Sequence, residues 1–437
     1  MKRINNSVIA LSLFVGIAHA NAQEKKTLSL DEAVQLGIQN SKNLKIDAAK
    51  IEEATADLLE AKNRQLPELK VSGSYMYLPI KPNIDIKLPG VSGAGGPEVH
   101  QVLYGTANLS VPIYSGGRIK YGIQSAKYLV EASKLSTEND KIAIAYNVAQ
   151  AYNNLFKANQ SIKVFEENLA ASQKRDETFL KMENNGLIAR NDRLKANLQT
   201  SNIELQLLEA KNNYNIANIN MDLLLGLPET TILEVDENYI EEGSDVKPVD
   251  FYVNEARENR KDLQALAQQR KAAEFGTKAA KAENLPSIAF TGGYVAADIP
   301  KFLTVYNAIN VGIGVSYNLS NLWKENSSLR QSQAREKQLA ATDELLNDNI
   351  KLDVNREYQN TDYSKKRIAV FEKSAEQANE NYRITKNKYD NGLATMTELL
   401  DADAAQIAAN VGVINAKADA ALAYRKLLQT TGTLTIK

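Results

Sequence analysis

The sequence repeats itself. Offset by 219 residues, Asp31 falls on Asp250, Asn40 on Asn259, Leu44 on Leu263, Ala61-Lys62 on Ala280-Lys281, Leu66-Pro67 on Leu285-Pro286 and Tyr75 on Tyr294. Offset by 206 residues, Ser110 falls on Ser316, Tyr152 on Tyr358, Phe165 on Phe371, Asn185-Gly186-Leu187 on Asn391-Gly392-Leu393, Leu194 on Leu400 and Gly226 on Gly432. Two copies of one unit restrict the architecture before any element is assigned. The fall in offset from 219 to 206 leaves 13 extra residues in the first copy, within the Pro- and Gly-rich stretch 79–97, which reads as a long loop. Beyond that loop the register holds without a gap for over a hundred residues. A long helical seam demands this, because an insertion would throw it out of phase.

Each unit reads as helices, strands, then long helices. Ser29 followed by Asp31 and Glu32 signals a helix start. A second helix, 41–65, is rich in Ala, Lys, Glu and Leu and is stopped by Pro67; its copy at 260–284 is stopped by Pro286. After each proline the period changes to two. In 305–319, Ile309, Val311, Ile313, Val315, Tyr317 and Leu319 alternate with Asn310, Gly312, Gly314, Ser316 and Asn318. Val71, Tyr75 and Tyr77, then Leu109, Val111 and Ile113, give two more strands, and Ile288, Phe290 and Tyr294 a fourth, weaker one. Long helices are expected at 117–181 and 323–388, each about 100 Å at 1.5 Å per residue. Stripes such as Ile142, Ala145, Ala149, Tyr152 and Phe156, answered by Ile203, Leu207, Ala210, Tyr214 and Met221, are coiled-coil seams.

The fold class expected is mixed α and membrane β. An apolar strand face backed by a polar one suits a lipid-facing barrel, in which about 10 residues cross the apolar band. Four strands cannot close alone, and open edges cannot sit in lipid. Closure needs several copies; three would give a 12-stranded β-barrel continued by an α-helical barrel. A coiled-coil rod or periplasmic adaptor without a pore is the rival reading. The expected divisions are a signal peptide at 1–22, first-repeat helices at 23–66, the first strand pair at 67–114 and the first long hairpin at 115–228. A linker with second-repeat helices follows at 229–285, then the second strand pair at 286–320 and the second long hairpin at 321–437.

Lys2 and Arg3 ahead of a short apolar run and an Ala-His-Ala-Asn-Ala site suit a secretory leader. No cysteine is present, so neither a disulfide nor a lipid-modified Cys is available. The net charge of −1 provides no footprint for nucleic acid. His100 is the sole histidine beyond the leader, and no nucleophile-elbow or phosphate-loop pattern occurs, so no enzyme, metal or cofactor is expected.

Two copies of helix, Leu-Pro, strand, loop and strand, with a turn such as Tyr114-Ser115-Gly116-Gly117-Arg118 and a long hairpin broken at Asn-Gly-Leu, resemble the TolC-like outer-membrane factors over nearly all of the mature chain. The resemblance implies a homotrimer in outer-membrane lipid. It also implies docking to a periplasmic adaptor and an inner-membrane pump, or to type I secretion machinery, as a passive gated conduit. At the hairpin tips, glycine suits a left-handed helix end, and the resemblance makes Gly186, Leu187, Gly392 and Leu393 adaptor-docking residues. Glu398 and Asp401 share one helical face. They read either as acids favoured in a first helical turn or, by resemblance, as acidic rings at the pore entrance. Tyr389 and Asp192 match a family latch, with core packing as the other reading of the tyrosine. Ala394 stands where a gate arginine is expected, leaving Arg190 or Arg193 as substitutes.

Overall fold

A computed structural model describes residues 25–80, 82, 99–236, 239–240, 246–300 and 302–435. The expected leader 1–22 and most of the loop 79–97 lie outside them. After a short strand β1 (Lys25–Leu28), α1 (Leu30–Asn40) opens on a reciprocal capping box. The Glu32 N–H donates to the Ser29 hydroxyl at 3.3 Å, and the Ser29 N–H donates to the Glu32 carboxylate at 3.0 Å. Next come α2 (Lys42–Asn63), β2 (Glu68–Tyr77), β3 (Gln101–Tyr114), the 67-residue α3 (Arg118–Asn184) and α4 (Arg190–Leu225). Beyond β4 (Ile232–Val235), the same order recurs as α5 (Val249–Asn259), α6 (Lys261–Ala282), β5 (Ser287–Ile299), β6 (Leu303–Ser316), the 64-residue α7 (Ser327–Asp390) and α8 (Met396–Thr430).

The short helices stack end to end to match the long ones. Where α4 ends against the junction of α1 and α2, the Asn40 amide donates to the Leu225 carbonyl at 2.7 Å. Gly226 there has φ 68°, and a Cβ on it would lie 2.9 Å from the Asn40 Cβ. Where α8 meets α6, the matched Gly432 has φ 73°, and its Cβ would lie 3.1 Å from the Asn259 and Arg260 backbone. Both glycines therefore satisfy a left-handed helix end and a close approach at once. In lateral order the columns are α2 with α4, then α3, then α6 with α8, then α7.

The main core lies at the middle of the long helices. Tyr152, Leu155, Phe156, Met221 and Leu225 pack there against Leu28 and Leu233. The last two belong to a small parallel sheet of β1 and β4, which the sequence reading did not anticipate. Tyr152 ties that sheet down: its hydroxyl donates to the Leu28 carbonyl and accepts from the Asp236 N–H, both at 2.8 Å.

Beside this core, Asp222 is fully buried and accepts one hydrogen bond, 2.9 Å from the Asn218 amide. Burial, with a smaller contribution from Glu229, raises its pKa to about 6. The folded state therefore binds the proton more tightly than the unfolded chain. The ionised form penalises folding, absent at low pH and growing as pH rises through about 6. Asp222→Asn is expected to raise the thermal midpoint well above pH 6, by about 1–3 kcal/mol in stability. The gain should vanish near pH 4; a pH-independent gain would refute the assignment.

The strands form one antiparallel sheet in the order β2-β3-β5-β6. Val71, Ala107, Tyr294 and Ile309 lie side by side across one face, as do Leu69, Leu109, Gly292 and Val311. The other face carries Lys70, Asn108, Gly293 and Asn310 in one row and Glu68, Ser110, Thr291 and Gly312 in the next. Ile309, Val311, Ile313 and Val315 are 75%, 73%, 70% and 69% exposed. An apolar face this bare requires an apolar partner. Asn307, at φ 61°, stands at a bulge where β6 gains one residue on β5, so Val305 no longer shares the face of Ile309 and the apolar stripe ends.

Two expectations need correction. The strand expected at 305–319 is β6, which ends at Ser316, and the helix expected from Trp323 begins only at Ser327. The Asn326 side chain accepts from the Leu329 N–H at 2.9 Å and so sets the later helix start. A 3-10 turn, Leu319–Leu322, fills the gap. The weak run around Phe290 is a full 13-residue strand, because its glycines and alanines conceal the alternation.

Candidate channel entrance at the hairpin tips

The α3–α4 and α7–α8 hairpins end in the same turn. At the first, the Leu187 N–H donates to the Met182 carbonyl at 2.9 Å and the Gly186 N–H to the Glu183 carbonyl at 2.8 Å. At the second, Leu393 donates to Lys388 at 2.8 Å and Gly392 to Tyr389 at 2.9 Å. These are Schellman closures, with Gly186 at φ 71° and Gly392 at φ 72°. A Cβ on either glycine would meet nothing within 4 Å, so the requirement is conformational and the tip surface is open. Leu187 and Leu393 stand out from it, 70% and 77% exposed.

Behind the tips, Phe179, Ala196, Met396 and Leu399 form a small core joining the two hairpins. Tyr389 packs against it, its ring meeting Phe179 edge-on at 5.9 Å. Burial raises the Tyr389 pKa, and the nearby charges of Asp192 and Asp390 raise it further. Asp192 itself meets Lys195 at 3.4 Å, and Lys195 also reaches Thr397 on the other hairpin at 3.4 Å. Arg193 is engaged in an ion pair with Glu183 inside its own hairpin, while Arg190 is exposed. Glu398 closes a capping box with Thr395: its carboxylate accepts from the Thr395 N–H at 2.7 Å and from the hydroxyl at 2.9 Å. These bonds, the backbone one foremost, lower its pKa. Asp401, one turn on, is exposed.

One cluster escaped the sequence reading. Arg175 on α3 donates both terminal nitrogens to Asp403 on α8, at 3.1 and 2.6 Å, with the two side chains only 14% and 7% exposed. The same guanidinium reaches the Tyr382 hydroxyl on α7 at 3.2 Å and Ser172 at 3.4 Å. Ser172 in turn pairs with Thr200 on α4 at 2.7 Å. All four helices are thus belted together roughly 16 Å above the tips. Burial works against the Arg175 charge, but the bonds to Asp403 and its charge prevail and hold the pKa up. The available signal was a charged residue inside an apolar seam: Arg175 four positions before Phe179, and Asp403 between Leu399 and Ile407.

Residues 33–227 and 252–433 match the family described as outer membrane efflux protein. The chain belongs to that family. An outer membrane efflux protein is a transport channel, which sets aside an enzyme and the poreless rod. Solved structures share the fold at low identity. OprN, an outer-membrane channel, is 16% identical, with 92% of this chain and 89% of that one covered and a TM-score of 0.77. A membrane protein from Pseudomonas aeruginosa is 17% identical, with coverage of 92% and 90% and a TM-score of 0.79. The outer membrane protein VceC of Vibrio cholerae is 17% identical, with coverage of 92% and 96% and a TM-score of 0.75. No curated protein sequence matches. Among the described residues no helix is long and apolar enough to cross a bilayer.

Proposed function

We propose that three copies of this chain close into one channel, a 12-stranded barrel in the outer membrane continued by a ring of helical columns. The observation that carries this reading is that sheet and helices share one lateral order with open edges on the same sides. β2, α2 and α4 form one edge; β6 and α7 form the other. Both edges expose apolar side chains, Ile46, Leu198, Leu205 and Ile216 on the first and Leu345, Leu352 and Val370 on the second. With an even number of antiparallel strands per chain, β6 of one copy meets β2 of the next in the alternating sense. Two copies would give about eight strands, whose interior side chains fill; twelve leave a lumen.

In this assembly the tips face the periplasm. Gly186, Leu187, Gly392 and Leu393 offer an open apolar surface to a periplasmic adaptor, which couples the conduit to an inner-membrane pump or secretion machinery. Asp192, Tyr389 and Arg190 line the closed entrance, with Arg190 in place of the arginine absent at Ala394. Asp401 points its charge into the passage. Glu398 serves its own helix start first and contributes its remaining charge to the ring. Planar-bilayer recording of the purified protein, with native mass determination, tests the reading: trimers that conduct support it, and lone chains without current defeat it. Asp401→Asn with Glu398→Gln should reduce cation preference in reversal potentials. Asp401→Asn should account for most of the change, since Glu398→Gln mainly weakens the cap.

A further inference from the structure

We propose that the turn between β6 and α7 is a lipid anchor, with Trp323 and Leu319 embedded in the periplasmic leaflet of the outer membrane; this rests on the channel reading above. The duplication exposes what is unusual about the turn. In the first copy, the glycine pair Gly116-Gly117 leads directly into α3, packed so closely that a Cβ on Gly116 would lie 2.8 Å from the Leu285 Cβ. In the second copy, offset by 206, Trp323 stands at the position of Gly117. The helix starts late, and Trp323 is 70% exposed beside an exposed Leu319.

One bare tryptophan would be unremarkable, but this one prolongs an apolar surface. Val311, Ile313 and Val315 share one face of β6, and past the strand end Tyr317 and, at the start of the 3-10 turn, Leu319 are apolar as well; all are exposed. At the same end of the sheet, Leu66, Ile113, Tyr114 and Leu285 are exposed as well. Immediately past Trp323 the surface becomes ionic, with exposed Lys324 and an Arg330–Glu325 pair at 2.8 Å. The turn therefore lies where an apolar wall meets water. An indole suits that level, since its ring is apolar and its N–H can donate to lipid ester and phosphate oxygens. Lys324 adds a cation at headgroup height.

Trp323 is the protein's only tryptophan, so its fluorescence reports on this turn alone. The protein is reconstituted in phosphatidylcholine vesicles whose acyl chains carry bromine either close to the headgroup or close to the chain end. The expected result is short-wavelength emission that shallow bromines remove almost entirely, deep bromines remove less, and aqueous iodide barely affects. Short-wavelength emission insensitive to both bromolipids would place a neighbouring copy over the ring and overturn the anchor. Water-like emission quenched by iodide would overturn it too. Trp323→Phe supplies the tyrosine background. Conductance is recorded on the same vesicles: conducting channels with unquenched Trp323 sink the anchor alone, whereas absence of current sinks the channel reading beneath it.

Discussion

Arg175→Ala is expected to destabilise the tip-proximal half of the long hairpins by about 3–5 kcal/mol, because it strands the buried Asp403 carboxylate without its partner. The loss should be local first. Hydrogen exchange should accelerate around Ser172, Phe179 and Leu399 before the core at Tyr152 responds, since the belt joins four helices near the tips and the main core lies far above. Arg175→Met combined with Asp403→Leu should recover much of the lost stability, as an apolar pair requires no desolvated charge. Arg383→Ala, which breaks an exposed pair with Glu380 on α7, is the surface control. If Arg175→Ala proved as mild as Arg383→Ala, the belt would have no structural weight.

Val311→Arg is expected to block membrane insertion, whereas Asn310→Arg, one residue away, should be tolerated. The two side chains lie on opposite faces of β6: Val311 in the apolar row with Leu109, Asn310 in the polar row with Asn108. An arginine on a lipid-facing strand near mid-bilayer costs about 2–4 kcal/mol, incurred once in every copy of the chain, while a lumen-facing arginine stays in water. The amount of protein recovered in outer-membrane fractions as heat-sensitive oligomers measures the difference. Equal recovery of both variants would mean that the apolar face does not meet lipid.

The parts of this protein legible from sequence are those whose pattern is local and periodic. Leu-Pro at 66–67 and 285–286 announces the passage from helix to strand, and β2 and β5 begin right after it. The seam through Ala145, Ala149, Tyr152 and Phe156 is buried as its spacing implies. At the tips, Asn-Gly-Leu required left-handed glycines, and Gly186 and Gly392 have them. Where signals were brief or borrowed, the reading thinned. β1 and β4 have four residues each and carry no period of their own. Asn326 held the helix start that the composition around Trp323 suggested earlier. Glu398 and Asp401 looked equivalent in sequence, yet only Glu398 has Thr395 three residues ahead of it, and that hydroxyl draws its carboxylate onto the helix end.

Taken alone, the sequence determined the types and order of the helices and the four long strands, and the two faces of their sheet, because backbone period and side-chain alternation are set by neighbours along the chain. Tertiary structure decided which helix lies beside which, the stacking of α4 on α2 and α8 on α6, and the union of Arg175 with Asp403 from 228 residues away. Such contacts depend on shape and charge meeting across space, where separation along the chain carries no signal.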